Sequence, residues 1–476
     1  MNITTAKIAR NTGVLTASLI IQKVFSFIYF SYLATQLGVT QTGLYFFVLS
    51  LVGICSVFID FGLINALIRE ISKKPEEVNK YYTHAIITRL ILAGIVLVAF
   101  YLFTLFSSYD IITKQSMVIA GLIMTIDSFT LLFYAVWRAH HNTMWESLGN
   151  IIFQITLLVV GGVAVYLSKN IIFALLALLL ASSINFLLAY FSSRLKLKLK
   201  FAFNVDYVFI KKLLLVALPF ALAGIFSRVY GYADTFLLKN LVGDAALGYY
   251  SLPYKITFVW QFIPLAAIAT LYPAFTSYYT ESKEKLSALW QKASVYLLAL
   301  SMPLTVGLYI FAPVIFLKIY GIEFVPSSFA LQTLILTLPL LFLNFPLGYL
   351  LNATGKQTKN TINIFIAMCV SVIGNIILIP HYSYIAASMM SIISTMVLFV
   401  FGMSYAVKII KLDYLSLFKD IAKITLSIIG MVAIILIIGS YLHYLLTILI
   451  AGITYVAIIF ITRFVSIVDI KSFIKK

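Results

Sequence analysis

The chain has 476 residues, of which 62% are hydrophobic, 15% aromatic and 11% charged, and its mean hydropathy is +1.05. A soluble domain runs at about 45–50% apolar and about 25% charged. A soluble enzyme, a disulfide-rich secreted domain and a disordered chain are therefore excluded, and most of the chain must be solvated by lipid. The net charge of +18, from 34 basic and 16 acidic residues, points in this composition to basic loops facing anionic lipid rather than to nucleic acid.

The amino end is short and polar and leads into a long apolar run, which reads as a retained first span and not a cleaved signal peptide. A spanning helix needs about 20 apolar residues. In chain order the candidates are 12–36, 43–68, 83–107, 114–137, 147–167, 170–193, 213–238, 245–278, 289–312, 326–351, 361–379, 382–407, 420–440 and 442–465. This predicts an all-α integral membrane protein of about 14 transmembrane helices. Segment 245–278 carries Pro253, Pro264 and Pro273 and is expected to be bent or broken. The boundary between 147–167 and 170–193 is set by only a few residues. Cys55 and Cys369 both lie in apolar runs and are expected to be inert thiols.

The basic residues sort by side. With the amino end cytoplasmic, 26 fall in cytoplasmic regions, from Lys7 and Arg10 at the start to Lys471, Lys475 and Lys476 at the end. Only four, Lys114, Lys169, Lys239 and Lys318, fall outside. That asymmetry predicts an even number of spans in the cell membrane with both termini cytoplasmic. Lys23, Arg89, Arg228 and Lys255 lie within or just inside spans.

A duplication is visible at a fixed offset. Leu37–Tyr45 reads LGVTQTGLY and Val242–Tyr250 reads VGDAALGYY, so Gly38, Gly43 and Tyr45 align with Gly243, Gly248 and Tyr250. The same offset aligns Lys23 with Arg228, each a cation about 20 Å from the cytoplasmic end of the first span of its half. The expected organisation is a six-helix bundle over 1–205, a second over 206–412 in the same orientation, and two additional spans over 413–476.

The run Leu37-Gly38, Gly43-Leu44-Tyr45, Phe58-Ile59-Asp60-Phe61-Gly62-Leu63 and Arg69-Glu70 resembles the start of the polysaccharide-biosynthesis flippases. These move O-antigen or capsule repeat units and share a superfamily with multidrug and toxic compound exporters and the lipid II flippase. The resemblance implies a V-shaped pair of bundles around a central cavity that opens alternately to the two sides. It implies a cargo of polyprenyl-pyrophosphate-linked oligosaccharide moved from the cytoplasmic to the outer leaflet. It also implies membrane lipids as surroundings, H+ or Na+ as coupling ion, and a glycan polymerase or glycosyltransferases as partners.

A large anionic headgroup needs a hydrophilic, cationic cleft, and a basic residue at mid-membrane depth costs at least ~2.5 kcal/mol if it faces lipid. Lys23, Arg228 and Lys255 are the expected substrate-binding residues. Each could instead be structural, paired with a neighbouring carboxylate or carbonyl. Asp60, Asp127 and Asp234 are the candidates for ion coupling, since a buried carboxyl titrates nearer neutrality; each could equally cap a helix or pair locally. No catalytic group, metal cluster or nucleotide-binding motif is expected. The alternative to a flippase is an ion-coupled exporter of small molecules. A polytopic glycan polymerase is disfavoured by the shortness of every outside loop.

Overall fold

The computed structural model describes the backbone of residues 5–201 and 205–464. Lys471, Lys475 and Lys476, and the side chains of Lys7 and Arg10, lie outside the described residues. Among those described, every regular element is helical, as lipid demands of a backbone that must satisfy its own hydrogen bonds.

In chain order the helices are α1 (Thr5–Asp60), α2 (Leu63–Lys73), α3 (Val78–Phe106), α4 (Ile111–Ala139), α5 (Met144–Thr156), α6 (Gly162–Ser168), α7 (Ile171–Lys196), α8 (Tyr207–Leu241) and α9 (Asp244–Phe258). They continue with α10 (Phe262–Glu281), α11 (Lys283–Ile315), α12 (Ser327–Ile335), α13 (Thr337–Ala353), α14 (Gln357–Ala406), α15 (Tyr414–Ile438) and α16 (Tyr444–Ile461). Eleven stretches among the described residues are long and apolar enough to cross a membrane, or twelve counting a bent pair. That pair, Asp244–Ile268 and Thr270–Glu281, turns by 47°, in the proline-containing segment where a break is expected. The boundary left open near residue 169 falls at Lys169, in a left-handed conformation (φ 47°), and Asn170, whose side chain caps α7.

Two of these stretches are exceptionally long. Ile20–Lys73 has 54 residues and Gln357–Ala406 has 50, roughly 80 Å and 75 Å as ideal helix against a hydrocarbon core of about 30 Å. Both are interrupted. Gly38 (φ 74°, ψ −178°) breaks α1, and Ser383 (φ 54°, ψ −137°) breaks α14. Phe61 and Gly62, with φ 42° and 74°, separate α1 from α2. Helices that begin at loops carry side-chain caps: Asp110 on α4, Asp206 on α8, Ser282 on α11 and Asp413 on α15.

The chain divides into two compact units: Met1–Leu252 with Met368–Tyr384, and Pro253–Ala367 with Ile385–Lys476. The first is organised around a core of Leu63, Leu67 and Ile71 from α2, Tyr82 from α3, Phe133 and Trp137 from α4, and Leu213 from α8. In the second, Val295 and Phe311 of α11 pack with Ile424 and Met431 of α15 and Tyr455 of α16. The Tyr455 hydroxyl donates to the Ala299 carbonyl at 2.6 Å. Of the last two helices, α16 is thereby fixed to α11 by a buried polar contact as well as by apolar area, and α15 by apolar area.

Candidate functional site

Two of the charged groups inside the spans of the first unit lie where α1 meets α8. Lys23 on α1 and Arg228 on α8 are exposed side chains, close enough for their like charges to interact. Each sits far from either end of its helix. An ammonium and a guanidinium exposed at that depth are tolerated only where water reaches them. The structure therefore brings together the two cations that the sequence offset paired.

Six residues further along α8, Asp234 is buried, and its carboxylate accepts hydrogen bonds from the Tyr250 hydroxyl and from the Thr235 amide, the latter at 2.7 Å. The sequence offset that aligns Gly243 with Gly38 places Asp234 on Tyr29, also buried. Asp234 thus has a hydroxyl and an amide as partners, and not Arg228, six residues away on the same helix.

The segment of α1 just after its break at Gly38 is drawn against the start of α9 by backbone contact. A methyl group on Gly43 would lie 2.6 Å from the Gly248 amide nitrogen, and one on Gly248 would lie 2.7 Å from Val39 Cγ1. The two aligned glycines therefore face each other with no room for a side chain, as small residues do where membrane helices approach closely. Beside them Lys239 pairs with Asp244 and lies 5.5 Å from the ring centroid of Tyr109, whose hydroxyl donates to Asn240 at 2.6 Å. At the opposite end, Gly62 approaches α8 so closely that a methyl group there would lie 2.7 Å from the Ala221 amide nitrogen.

Asp60, the last residue of α1, is held by Arg89 of α3. The Arg89 guanidinium is fully buried and also donates to the Ser128 carbonyl of α4, while Asp60 accepts from the Ile64 amide at 3.3 Å. One arginine thus joins three helices across the Phe61–Gly62 break. Asp127, next to Ser128, stands beside the Ser182 hydroxyl of α7. Lys255, on α9, is half-buried and belongs to the second unit. At the basic ends, Arg138 pairs with the buried carboxylate of Glu146, and Glu70 pairs with Lys73 and Arg69. These charges brace helix ends.

Three features were missed by sequence reasoning. Arg89 was noted only as a cation inside a span, although its isolation in an apolar run was a sufficient signal. Tyr250 was marked as a repeat position but not as the partner of Asp234. The Gly43–Gly248 contact was implied by nothing except the alignment of the two glycines with each other.

Among the described residues the chain is thus helical and multi-pass, with neighbouring cations and buried carboxyls inside its spans. The chain belongs to the family described as polysaccharide biosynthesis protein, whose model matches residues 8–279. It is 21% identical over 373 residues, 77% of each chain, to the probable low-salt glycan biosynthesis flippase Agl15 of Haloferax volcanii. It is 24% identical over 258 residues to an uncharacterized membrane protein, MJ1068, of Methanocaldococcus jannaschii; that match spans 52% of this chain and half of the relative's own length. Among solved structures, lipid II flippase MurJ in an inward closed conformation superposes with a TM-score of 0.79 at 18% identity, covering 94% of this chain and 98% of that one. An inward-facing multidrug resistance MATE transporter of the MOP superfamily gives 0.69 at 17% identity, covering 82% and 95%. At these identities the structural likeness establishes the fold.

Proposed function

We propose that the protein flips a polyprenyl-pyrophosphate-linked oligosaccharide from the cytoplasmic to the outer leaflet by alternating access, with Lys23 and Arg228 lining an aqueous, cationic cavity. The observation that carries this reading is the exposure of two neighbouring like charges at mid-span. An anionic diphosphate relieves their repulsion and replaces part of its own lost hydration with charge-assisted hydrogen bonds. An exporter of organic cations would find the same two charges repulsive. Lys255 is the third cation of the proposed path. Family membership and the printed role of the Haloferax relative support the choice of cargo.

The span count of the proposal is fourteen: the stretches broken at Gly38 and Ser383 each count as two, and the bent pair as one. The repeat of two six-helix halves, 1–205 and 206–412, with 413–476 added, belongs to the same reading. Both termini are cytoplasmic, so single cysteines replacing Lys114, Lys169 and Lys318 should react with an impermeant maleimide in intact cells. Labelling only after permeabilisation would invert the topology.

For coupling, Asp127 and Asp234 are the stronger of the three carboxyls. Asp234 accepts from the Tyr250 and Thr235 hydroxyls and Asp127 has the Ser182 hydroxyl beside it, whereas Asp60 is paired with a guanidinium. The bound ion is H+ or Na+. Asn at Asp234 or at Asp127 is expected to leave cargo binding intact and to remove the dependence of transport on an ion gradient; unchanged dependence in both variants would place the coupling elsewhere.

The exporter reading is separated from the flippase reading in the source cell. Deleting the gene should make the lipid-linked glycan accumulate on the cytoplasmic face and deplete surface glycan, with sensitivity to toxic organic cations unchanged. Normal surface glycan with raised cation sensitivity would favour the exporter.

A further inference from the structure

A second polar cavity lies in the second unit, at the end of its helices where the basic loops are. It has a volume of about 790 Å³ and is walled by the first turns of α11, the 407–413 connection, the start of α15 and Phe464 after α16. Four lysines line it: Lys283, Lys292, Lys408 and Lys411. Of the three carboxylates also present, two are engaged locally. Asp413 caps α15 by accepting from the Ser416 amide at 3.1 Å, and Glu284 accepts from the Ser282 hydroxyl at 2.9 Å. The 407–413 wall is built rather than draped. Gln291 donates to the Asp413 carbonyl at 3.3 Å and accepts from the Asp413 amide at 3.1 Å, and the Lys411 amide donates to the Ser287 hydroxyl at 3.0 Å.

We propose that this cavity binds the phosphate headgroup of an anionic membrane phospholipid, independently of the transport path. Beside the lysines and helix-capping residues, the lining includes Val295, Tyr296, Ile409 and Phe464. The start of α15 has two faces. Asp413, Ser416 and Asp420 line the cavity, while Tyr414, Leu415, Phe418 and Ile421 on the opposite face are exposed, three of them by 65–72%. That exposed apolar face is suited to acyl chains, which, with the topology proposed above, would set the cavity mouth at headgroup depth on the cytoplasmic side. The lysines are set over tyrosine rings in the manner of interfacial residues: Lys292 lies 5.5 Å from the centroid of Tyr296, and Lys408 5.9 Å from that of Tyr405. Basic pockets between helices on the cytoplasmic side take anionic lipid headgroups on the same electrostatic grounds. The wall includes the start of α15 and Phe464 beyond α16, so the two helices added after the second half would acquire a role in lipid recognition.

The test uses the full chain in nanodiscs and reads retained lipid by native mass spectrometry. Phosphatidylglycerol should be retained over phosphatidylcholine in the unaltered protein. The double substitution Lys283→Gln with Lys411→Gln, both exposed positions, should weaken that retention by about tenfold or more, since each lysine near a lipid surface contributes severalfold. Lys196→Gln with Lys198→Gln, exposed positions of the first unit, should leave it unchanged. Equal loss in both double variants, or no loss in the first, would overturn the site. Equal protection against thermal unfolding by water-soluble glycerol phosphate would overturn the assignment to lipid. Glycan flipping by the Lys283/Lys411 variant should continue in neutral bilayers, which separates failure of this site from failure of the transport reading.

Discussion

Lys23→Ala and Arg228→Ala are each expected to reduce glycan transport by tenfold or more, while the protein still inserts and accumulates. One charge-assisted contact to a desolvated phosphate contributes about 1.5–3 kcal/mol, and every 1.4 kcal/mol is a factor of ten. Both side chains are exposed, so truncation opens no packed core. Arg228→Lys should retain more activity than Arg228→Ala, because the charge survives although the planar fork is lost. Transport at wild-type rate in both alanine variants, measured against protein content in the membrane, would make the cations structural.

Arg89→Leu is expected to have the largest effect on stability. It removes the charge that neutralises Asp60 and the donor to the Ser128 carbonyl, leaving a carboxylate at a helix break among apolar side chains. Breaking a buried pair on one side costs about 3–5 kcal/mol; the partial exposure of Asp60, 24%, puts the expectation at the lower end, about 3 kcal/mol. Detergent-solubilised protein should unfold at lower temperature and accumulate poorly. Adding Asp60→Leu should recover most of the loss, because two apolar residues replace a pair instead of leaving half of one. If the double variant is no more stable than Arg89→Leu, the pair does not secure the Phe61–Gly62 break. Transport by a recovered double variant would also exclude Asp60 from ion coupling.

The class of fold was legible because lipid permits so few backbone solutions. Runs such as 83–107 and 170–193 can only be helices, and the structure has α3 and α7 there. Breaks were legible to within a few residues. The sequence marks a turn between 36 and 43, and Gly38 supplies it; it parts 361–379 from 382–407 at Pro380 and His381, and the structure breaks Gln357–Ala406 at Ser383, with φ 54°. The proximity of Lys23 and Arg228 was readable from a shared offset, since duplicated elements return to equivalent depths. Which polar atoms pair was not readable. Asp60 and Arg89 are 29 residues apart, and Asp234 reaches Tyr250 only through the turn at Gly243. Such partners are chosen by helix rotation and packing, which apolar composition leaves nearly undetermined when every face is hydrophobic.

The central claim is that the chain itself carries an anionic lipid-linked glycan across a bilayer. Its most direct test is purified protein reconstituted with a fluorescent polyprenyl-pyrophosphate-linked oligosaccharide, followed by the fraction of glycan that becomes accessible to an impermeant lectin. Accessibility should rise with time in vesicles containing the wild-type chain, remain at the protein-free baseline with the Lys23→Ala/Arg228→Ala variant, and fall on competition by excess unlabelled polyprenyl pyrophosphate. A wild-type time course indistinguishable from empty vesicles, or one competed by organic cations and not by polyprenyl pyrophosphate, would contradict it.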